Sequence, residues 1–469
     1  MFFQKQQDNL PPGWSRRHLT FWDNNLFAVN DSPTIAWVYP AGSIDRKVVS
    51  EALKRAIKRR IPWLNACVAF TQTGSPPYEL HVPSPTCEID AYSTSSTTIT
   101  EKLDTITAWT PNDSEHGLVE VHDIYDSMPL NPRTAINDIQ KYIQNKLPLL
   151  HLHFAFASDA ILVSLSWSHA VMDAVSCAQL VAAWEQEIQH PDSCDLCSDT
   201  DPSRIFDFTE DIEIPSEWHP QGWLPLTIWS FWPALQGFAW TFIERYRHPL
   251  LDGSIYIPSV MMRRWRKLAA AELENRDFVS SNDLVSAWVF RYAWGGYYHG
   301  DLDWNTIFTA VCARGRHTAL PLSLITNLAK SCVAPPIRTI DLREQSLAKI
   351  ALRLRKSLEP FTDEHYVAKF VTQEYRRNKQ HNGYVSALPE GYWGSRSFGI
   401  TSWARQGLGN FTIGEVKPVS CLTYNAQRRV ATIIDTSDDW RVDFKLSARQ
   451  WNALKARMAQ ENESLCDQY

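Results

Sequence analysis

Several features that mark whole classes of proteins are missing from this sequence of 469 residues. Basic residues are not in excess: 46 Lys and Arg face 52 Asp and Glu, for a formal net charge of −6. A nucleic-acid-binding chain needs positive surface to neutralise phosphates, so this balance argues against DNA or RNA as a partner. The opening residues, MFFQKQQDNLPPGW, lack the apolar segment of a secretory signal, and we expect a cytoplasmic protein.

Cysteine spacing speaks against a disulfide framework and against a zinc site. The nine cysteines are an odd number scattered over a long chain, as in reduced cytosolic proteins. Cys194 and Cys197 follow His190, but no second pair lies at zinc-finger spacing. We therefore expect no metal ion.

One long uncharged segment raises the question of a transmembrane helix. Residues 218–243, WHPQGWLPLTIWSFWPALQGFAWTFI, carry no Asp, Glu, Lys or Arg and are long enough to cross a bilayer. Pro225, Pro233 and Gly237 interrupt the segment, and its tryptophans do not gather at two interfaces. We expect an apolar linker wrapped on the protein and no transmembrane helix; peripheral membrane contact through 218–243 stays open.

What is present indicates a large globular protein. Hydrophobic residues make up 44% of the chain, with 20 Trp, 20 Phe and 16 Tyr, which predicts extensive apolar cores. The length favours two domains. Strand and helix patterns alternate in both halves, so we expect two α/β units, each a sheet with helices, with a boundary near residues 200 to 255.

The N-terminal half begins with a strand, a helix and a second strand. TIAWVYP has strand composition, Val48, Val49, Leu53 and Ile57 recur at helical spacing, and CVAF after Pro62 suits a return strand. This order predicts a βαβ-type opening.

A hairpin and a helix follow. LLHLHFAF alternates polar and apolar residues, ASDA predicts a turn, and residues 161–167 form the second strand of the hairpin. After Asp173 the spacing of Leu180, Val181 and Trp184 is helical.

The second half repeats the alternation. SSND caps a helix predicted from about Leu284 to Ala293, TIFTAVCARGR predicts a strand, and REQSLAKIALRLRKSLE predicts a helix. RVATIID and WRVDFKL predict closing strands before a helix from about Ser447.

One histidine stands out by its position. A His four residues before an Asp occurs at His122, His169, His248 and His299, so the spacing alone selects nothing. His169 lies where the hairpin ends and the helix begins, among small residues, so its ring is on rigid support and within reach of a substrate. A structural, hydrogen-bonded histidine is the alternative interpretation.

The surrounding block, SLSWSHAVMDA, resembles the HxxxD block of the BAHD acyltransferases, and in particular the fungal trichothecene acetyltransferase-like branch. GITSWARQGLGNFTIGEVKPV, residues 399–419, resembles the family's TSW segment and DFGWG-like turn. Weaker similarity extends to LTFWDNNLF, to SSNDLVSAWVFR and to ARGR…LITN between residues 313 and 327. These landmarks occur in order along most of the chain.

The resemblance implies two similar chloramphenicol-acetyltransferase-like α/β domains with an active-site channel between them. On this basis we expect an N-terminal domain over residues 1–205, an apolar crossover linker over 206–255 and a C-terminal domain over 256–469. A monomer is expected.

The resemblance also implies the chemistry: transfer of an acyl group, with acetyl the first expectation, from acyl-CoA to a hydroxyl or amine of a hydrophobic specialised metabolite. His169 would be the general base and no covalent acyl-enzyme would form. The Thr401 hydroxyl and the Trp403 indole would stabilise the oxyanion. Asp173 would pair with Arg314 in a structural role.

The DFGWG-like segment departs from the family pattern. Asn410 replaces the Asp, and Thr412 and Ile413 replace Gly and Trp, whereas Gly414 is retained. Asn keeps hydrogen bonding but loses the charge, so the loop is expected to be less firmly held. The alternative function is a family member that binds, cyclises or isomerises a small molecule without acyl transfer.

Overall fold

The computed structural model describes residues 10–20, 23, 31–71, 78–84, 92–99, 118–121, 139–191, 208–209, 211–225, 247, 250–273, 277–295, 301–380, 387–389, 397–424, 430–436 and 439–466. The strands are β1 Ser15–His18, β2 Thr34–Pro40, β3 Cys67–Phe70, β4 Tyr78–Val82, β5 Tyr92–Thr98, β6 Val119–Val121, β7 Leu150–Phe156, β8 Ala160–Trp167, β9 Trp223–Pro225, β10 Leu250–Ile257, β11 Trp304–Cys312, β12 Ala329–Val333, β13 Ile337–Arg338, β14 Ala387–Pro389, β15 Ser397–Ser402, β16 Ser420–Tyr424, β17 Val430–Thr436 and β18 Asp439–Ser447. The α-helices are α1 Arg46–Arg60, α2 Ile139–Gln144, α3 Ala174–Gln189, α4 Ser259–Glu272, α5 Ser281–Val289, α6 Thr339–Glu344, α7 Leu347–Leu358, α8 Glu364–Gln380 and α9 Ala448–Cys466.

The first large sheet has five strands in the order β16-β2-β8-β7-β5. Only β5 and β7 pair in parallel; the other neighbours are antiparallel. Helices α1 and α3 cover one face, where Trp37, Leu152 and Trp184 belong to one buried cluster. This sheet carries the hairpin that ends at His169.

The second large sheet has eight strands, in the order β12-β11-β15-β17-β18-β10-β6 with β13 paired to β11. It is mixed, since β15 runs parallel to both β11 and β17. Its apolar face, which includes Phe398, Ile400 and Ile433, shares a core with Trp288 of α5 and Trp451 of α9. Thr401 points to the opposite face because strand side chains alternate.

The two sheets exchange strands. β16, from the C-terminal part of the chain, pairs with β2, and β6, from the N-terminal part, pairs with β10. A hydrogen bond links β16 to β18 of the second sheet: the Asp443 carboxylate accepts the backbone N–H of Thr423 at 2.9 Å. The domain boundaries at residues 205 and 255 stay a prediction.

Most predicted elements are confirmed, including the β7–β8 hairpin, α3 and the closing strands with α9. The predicted βαβ opening is wrong. β3 does not return to the sheet of β2 but pairs antiparallel with β4 in a separate three-stranded sheet. Local periodicity identified the strands but not their partners, which depend on contacts distant in sequence.

Two smaller predictions need correction. Val48 is 47% exposed, whereas Val49, Leu53 and Ile57 face the core. The helix predicted to Ala293 is α-helical only to Val289, after which residues 290–295 form a π-helical turn.

The start of the uncharged segment lies on the protein. The indole of Trp218 contacts Tyr366 of α8 at 5.7 Å between ring centroids, and the Trp223 indole donates to the Ser331 carbonyl at 3.2 Å. Residues 226–243 lie outside the described part of the chain, as do His122, His248 and His299. None of the helices in the described ranges is both long and apolar enough to cross a membrane.

Candidate active site

His169 lies two residues beyond the end of β8, and its backbone is held from two sides. The N–H of Ser168 donates to the Leu149 carbonyl and that of His169 to the Asp31 carbonyl, both at 3.0 Å. The following residues turn into α3, so the imidazole is presented at a rigid strand-to-helix junction, as predicted. The side chain is partly exposed.

The imidazole contacts the C-terminal half of the chain through one ring nitrogen. His169 Nδ1 is 2.9 Å from Asn327 Oδ1, and the Asn327 amide also donates to the His169 carbonyl. Nε2 makes no hydrogen bond within the part of the chain that the structure describes. That nitrogen is therefore the atom available to a substrate.

Asp173 caps the helix that follows. Its Oδ1 accepts the N–H of Ser176 at 2.9 Å, while Oδ2 accepts the N–H of Leu328 at 2.9 Å and Arg314 Nη1 at 2.8 Å. A capping carboxylate stabilises the helix start and favours negative charge there. Both oxygens are thus used in structure, and the predicted Asp173–Arg314 pair is brought together.

The Arg314 guanidinium is fully enclosed. Its remaining N–H groups donate to residues 324–326 and to the first turn of α3. Nε donates to the Leu324 carbonyl at 2.7 Å and Nη2 to Ser176 Oγ at 2.7 Å and to the Thr326 carbonyl. Burial alone raises the pKa of the Asp173 carboxyl, but Arg314 and the backbone N–H groups outweigh burial and hold that pKa below its ordinary value. The pair is therefore ionised at neutral pH.

A second buried carboxylate, Asp23, lies behind Asn327. Its Oδ1 accepts the Asn327 backbone N–H at 3.0 Å and the side-chain amide at 2.7 Å. Its Oδ2 accepts the N–H and hydroxyl of Thr20, at 2.9 and 2.6 Å, and the Thr326 hydroxyl at 2.9 Å. Burial raises the pKa of Asp23, and these hydrogen bonds partly offset that rise.

Lys330 is a further buried charged residue near this turn. Its Nζ pairs with Glu374 Oε2 at 2.7 Å. Burial lowers the pKa of Lys330 to about 8, and the negative charges of Glu374, Asp23 and Asp173 oppose that shift. The turn after β8 is thus surrounded by compensated buried charges.

Thr401 lies on β15 of the second sheet, and Trp403 directly follows that strand. Thr401 is partly exposed and is the register partner of Thr432. Trp403 is 3% exposed, and its ring centroid is 5.7 Å from that of Trp167, two residues before His169. The structure thus places Trp403 next to β8, two residues before His169, whereas no hydrogen bond joins Thr401 to His169 among the described residues.

The DFGWG-like loop is held by a buried aromatic ring and by a hydrogen bond from the Thr412 hydroxyl to Glu185 Oε1. Asn410 is exposed, and Gly414 is exposed with a φ of 63°. Phe411 is fully buried between Trp37 and Trp184, at 4.8 and 4.6 Å between ring centroids. The ring of Phe411 thus anchors the loop next to position 410, and the weakening expected from Asn410 stays a prediction.

The sequence analysis assigned no role to two polar residues near His169. Asp23 and Asn327 stand in the segments LTFWDNNLF and LITN, which were noted for resemblance without a role. In the sequence each is a short polar residue beside apolar ones, and this pattern is too common to identify a functional residue. Cys194 and Cys197 lie outside the described residues, within which no group of three or more His, Cys, Asp or Glu side chains could hold a metal ion.

No family model matches the chain. Among curated proteins it is similar to the transcriptional regulator calD of Penicillium decumbens, with 26% identity over 37% of this chain and 35% of that protein. It is similar to acetyltransferase BOT5 of Botryotinia fuckeliana, with 24% identity over 58% and 51% of the two chains. Acetyltransferase pyiB of Pyricularia grisea shows 21% identity over 70% of each chain. The chain thus spans about a third to a half of the length of the first two relatives.

Two solved structures share the fold over nearly the whole chain. F. graminearum TRI101, in complex with coenzyme A and deoxynivalenol, superimposes with a TM-score of 0.68 at 15% identity, covering 94% of this chain and 97% of that one. Vinorine synthase, a BAHD enzyme, gives a TM-score of 0.60 at 15% identity, covering 97% and 95%. The chain therefore shares the mixed α/β fold of these two proteins and is similar in sequence to fungal acetyltransferases, in agreement with the HxxxD resemblance.

Proposed function

We propose that this protein is a CoA-dependent acyltransferase that moves an acyl group, acetyl in the first instance, from acyl-CoA to a hydroxyl or amine of a hydrophobic specialised metabolite. The observation that carries the proposal is His169: its ring is partly exposed at a rigid junction, with Nδ1 on Asn327 and Nε2 free for a substrate. A general base needs such an available nitrogen.

The proposed reaction is a direct transfer. The acceptor oxygen or nitrogen attacks the thioester carbonyl carbon while His169 Nε2 takes its proton. The tetrahedral intermediate then expels the CoA thiolate, which receives that proton from the imidazolium. Cys177 of α3 is buried, and burial raises the pKa of its thiol, so it is unsuited to act as a nucleophile.

We assign oxyanion stabilisation to the Thr401 hydroxyl and the Trp403 indole N–H. A single such donor contributes roughly 3–4 kcal/mol to transition-state binding. The approach of Trp403 to Trp167 supports this assignment, since it brings the residue that follows β15 to the end of β8, just before His169. Asp173 and Arg314 have a structural role, because both Asp173 oxygens already accept hydrogen bonds.

The substrate classes rest on similarity. TRI101 binds coenzyme A with deoxynivalenol and, in another structure, with T-2 mycotoxin, and several curated relatives are named acetyltransferases. By analogy we propose acyl-CoA as donor, a channel between the two sheets, and a rigid hydrophobic acceptor. We further propose that the protein acts as a monomer in the cytoplasm without a metal ion, since direct acyl transfer needs none. Contact of residues 218–243 with a membrane surface stays a hypothesis, which liposome flotation tests.

The experiment is a search for acylated product. Purified protein is incubated with acetyl-CoA and a panel of hydroxylated and aminated hydrophobic acceptors, deoxynivalenol among them, and products are identified by mass spectrometry while free CoA thiol is measured. We expect acceptor-dependent thiol release matched by acetylated product. His365→Ala, which removes an exposed histidine of α8, serves as the matched control and should retain full activity.

Calorimetric titration with CoA separates this proposal from the alternative. An acyltransferase of this fold should bind CoA with micromolar affinity. Binding of acceptor-like molecules with neither CoA affinity nor acylated product would instead favour a family member that binds or isomerises a small molecule.

A further inference from the structure

Asp23 has no part in the proposed chemistry, yet it is one of the most heavily hydrogen-bonded side chains near the site. It is 2% exposed and accepts five hydrogen bonds from three residues, Thr20, Thr326 and Asn327. Two of these residues belong to the C-terminal half and one to the N-terminal segment. A buried carboxylate in such a position must stabilise a particular arrangement of its donors.

We propose that Asp23 is a positioning residue that fixes the tautomer of His169 through Asn327. This inference rests on the proposed function, in which His169 Nε2 is the base. The Asn327 atom that faces Asp23 Oδ1 at 2.7 Å also faces the His169 carbonyl oxygen, which only accepts hydrogen bonds, so this atom must be the NH2 nitrogen of Asn327.

The orientation of the Asn327 amide then determines the direction of its hydrogen bond with His169 Nδ1. With its NH2 group on Asp23 and on the His169 carbonyl, Asn327 has only its oxygen left for the imidazole. The oxygen only accepts, so His169 Nδ1, 2.9 Å away, must carry the hydrogen. In the neutral ring Nε2 is then unprotonated and ready to take the proton of the acceptor.

The hydrogen bonds to Asp23 favour its ionised form, against the rise in pKa that burial causes. All five of its contacts are donors in this arrangement, and the buried Lys330 ammonium is near enough for its charge to interact with Asp23. The other charged groups around the turn, Asp173 and Arg314, neutralise each other at 2.8 Å. During the reaction the negative charge behind Asn327 would also stabilise the imidazolium that forms.

The test measures the tautomer directly, without relying on catalysis. In protein labelled with 15N-histidine, the nitrogen chemical shifts and couplings distinguish an Nδ1–H from an Nε2–H ring, and the His169 signal is assigned by its loss in His169→Ala. We expect the Nδ1–H tautomer in the wild type. In Asp23→Ala, and in Asp23→Asn, whose amide can donate towards Asn327, we expect a shift towards Nε2–H or a mixture.

Kinetics give a second readout. We expect Asp23→Ala to lower kcat roughly 10- to 100-fold, the size typical of residues that orient a reacting group through another. The acid limb of the kcat/KM profile should also move. Asp23→Ala combined with Asn327→Leu should be no slower than Asn327→Leu alone, because both changes break the same chain of hydrogen bonds. Ser32→Ala is the matched control: it removes a buried hydroxyl that donates to the Trp167 carbonyl at 3.0 Å, and it should leave tautomer and profile unchanged.

The outcomes are distinct. An Nε2–H tautomer in the wild type, or a folded Asp23→Asn variant with an unchanged tautomer, overturns the inference; the latter comparison applies even where Asp23→Ala does not fold. Additive losses in the double variant likewise overturn it. If the wild type transfers no acyl group to any acceptor, the proposed function fails, while the tautomer measurement still decides the role of Asp23.

Discussion

At the turn after β8 the two halves of the chain meet through buried charges. At the loop from residue 403 to 418 they meet mainly through aromatic side chains, two of which also donate hydrogen bonds to the Leu408 and Phe411 carbonyls. We call the first the polar junction, comprising Asp23, His169, Asp173, Arg314 and Asn327. The second, the aromatic junction, comprises Trp37, Trp184, Leu408 and Phe411. Both join the same N-terminal sheet to the C-terminal half of the chain.

The difference lies in what each kind of contact specifies. Hydrogen bonds to a buried carboxylate fix direction, so the polar junction determines where the imidazole and its protons lie. The packing of Phe411 against two indoles stabilises by area and shape and fixes direction less strictly. The chemistry that we propose for His169 therefore depends on the first junction, whereas the loop has the buried ring of Phe411 as an anchor.

The largest expected effect comes from breaking the polar junction. Asp173→Ala should lower the free energy of unfolding by about 3–5 kcal/mol, because it leaves the enclosed Arg314 guanidinium without its carboxylate. Urea denaturation followed by tryptophan fluorescence measures this loss. Asp301→Ala, which breaks the exposed Asp301–Arg343 pair at 3.1 Å, should cost less than about 1 kcal/mol. Equal losses in the two variants would contradict the account.

The pH dependence of that effect sharpens the comparison. The pKa of Asp173 in the folded protein is lowered below its ordinary value of 3.8, so its stabilisation is fully present above pH 3.8. It is lost as the pH falls through the lowered pKa. The difference in unfolding free energy between wild type and Asp173→Asn should therefore be constant from pH 7 to about 5 and shrink below 3.8. A difference that grew on acidification would show that Asp173 is not ionised in the fold.

At the aromatic junction we expect a smaller effect that is confined to stability. Phe411→Leu keeps most of the buried volume but loses two ring contacts, so it should lower the free energy of unfolding by about 1–2 kcal/mol. The folded variant should keep kcat within a few-fold of the wild type, as thiol release measures. A loss of kcat as large as that of an Asp23 variant would mean that this loop also orients the site.

The smallest effect is expected where the family pattern is restored. Asn410→Asp puts back the usual acidic residue, but position 410 is exposed, so the free energy of unfolding should change by less than about 0.5 kcal/mol. Thermal denaturation of the two proteins side by side checks this. A clear gain in stability would reveal a cation partner for the loop.

The sequence predicted correctly the elements that depend on local patterns of polar and apolar residues. The β7–β8 hairpin and α3 follow from alternation and helical spacing, and the HxxxD resemblance led to the Asp173–Arg314 pair. It did not reach the exchange of β16 and β6 between sheets, nor the contact of Asp23 with Asn327, 304 residues later. Those depend on long-range packing, which leaves no periodic trace in either segment.

The roles within the site divide in the same way. Motif similarity nominated His169, Thr401 and Trp403, and their catalytic roles stay predictions. The hydrogen bond between the imidazole and Asn327, and that between Asn327 and Asp23, join residues that are far apart in the sequence, so the sequence does not predict them. Structural neighbours of a base are therefore harder to find from sequence than the base itself.

The central claim is that His169 takes the acceptor's proton, and its replacement tests that claim most directly. With an acceptor found in the panel, kcat/KM for thiol release is compared between wild type and His169→Ala, with CoA affinity measured alongside. A lost general base predicts a fall of roughly 10²- to 10⁴-fold with CoA affinity unchanged. Turnover by His169→Ala at the wild-type rate would contradict the account.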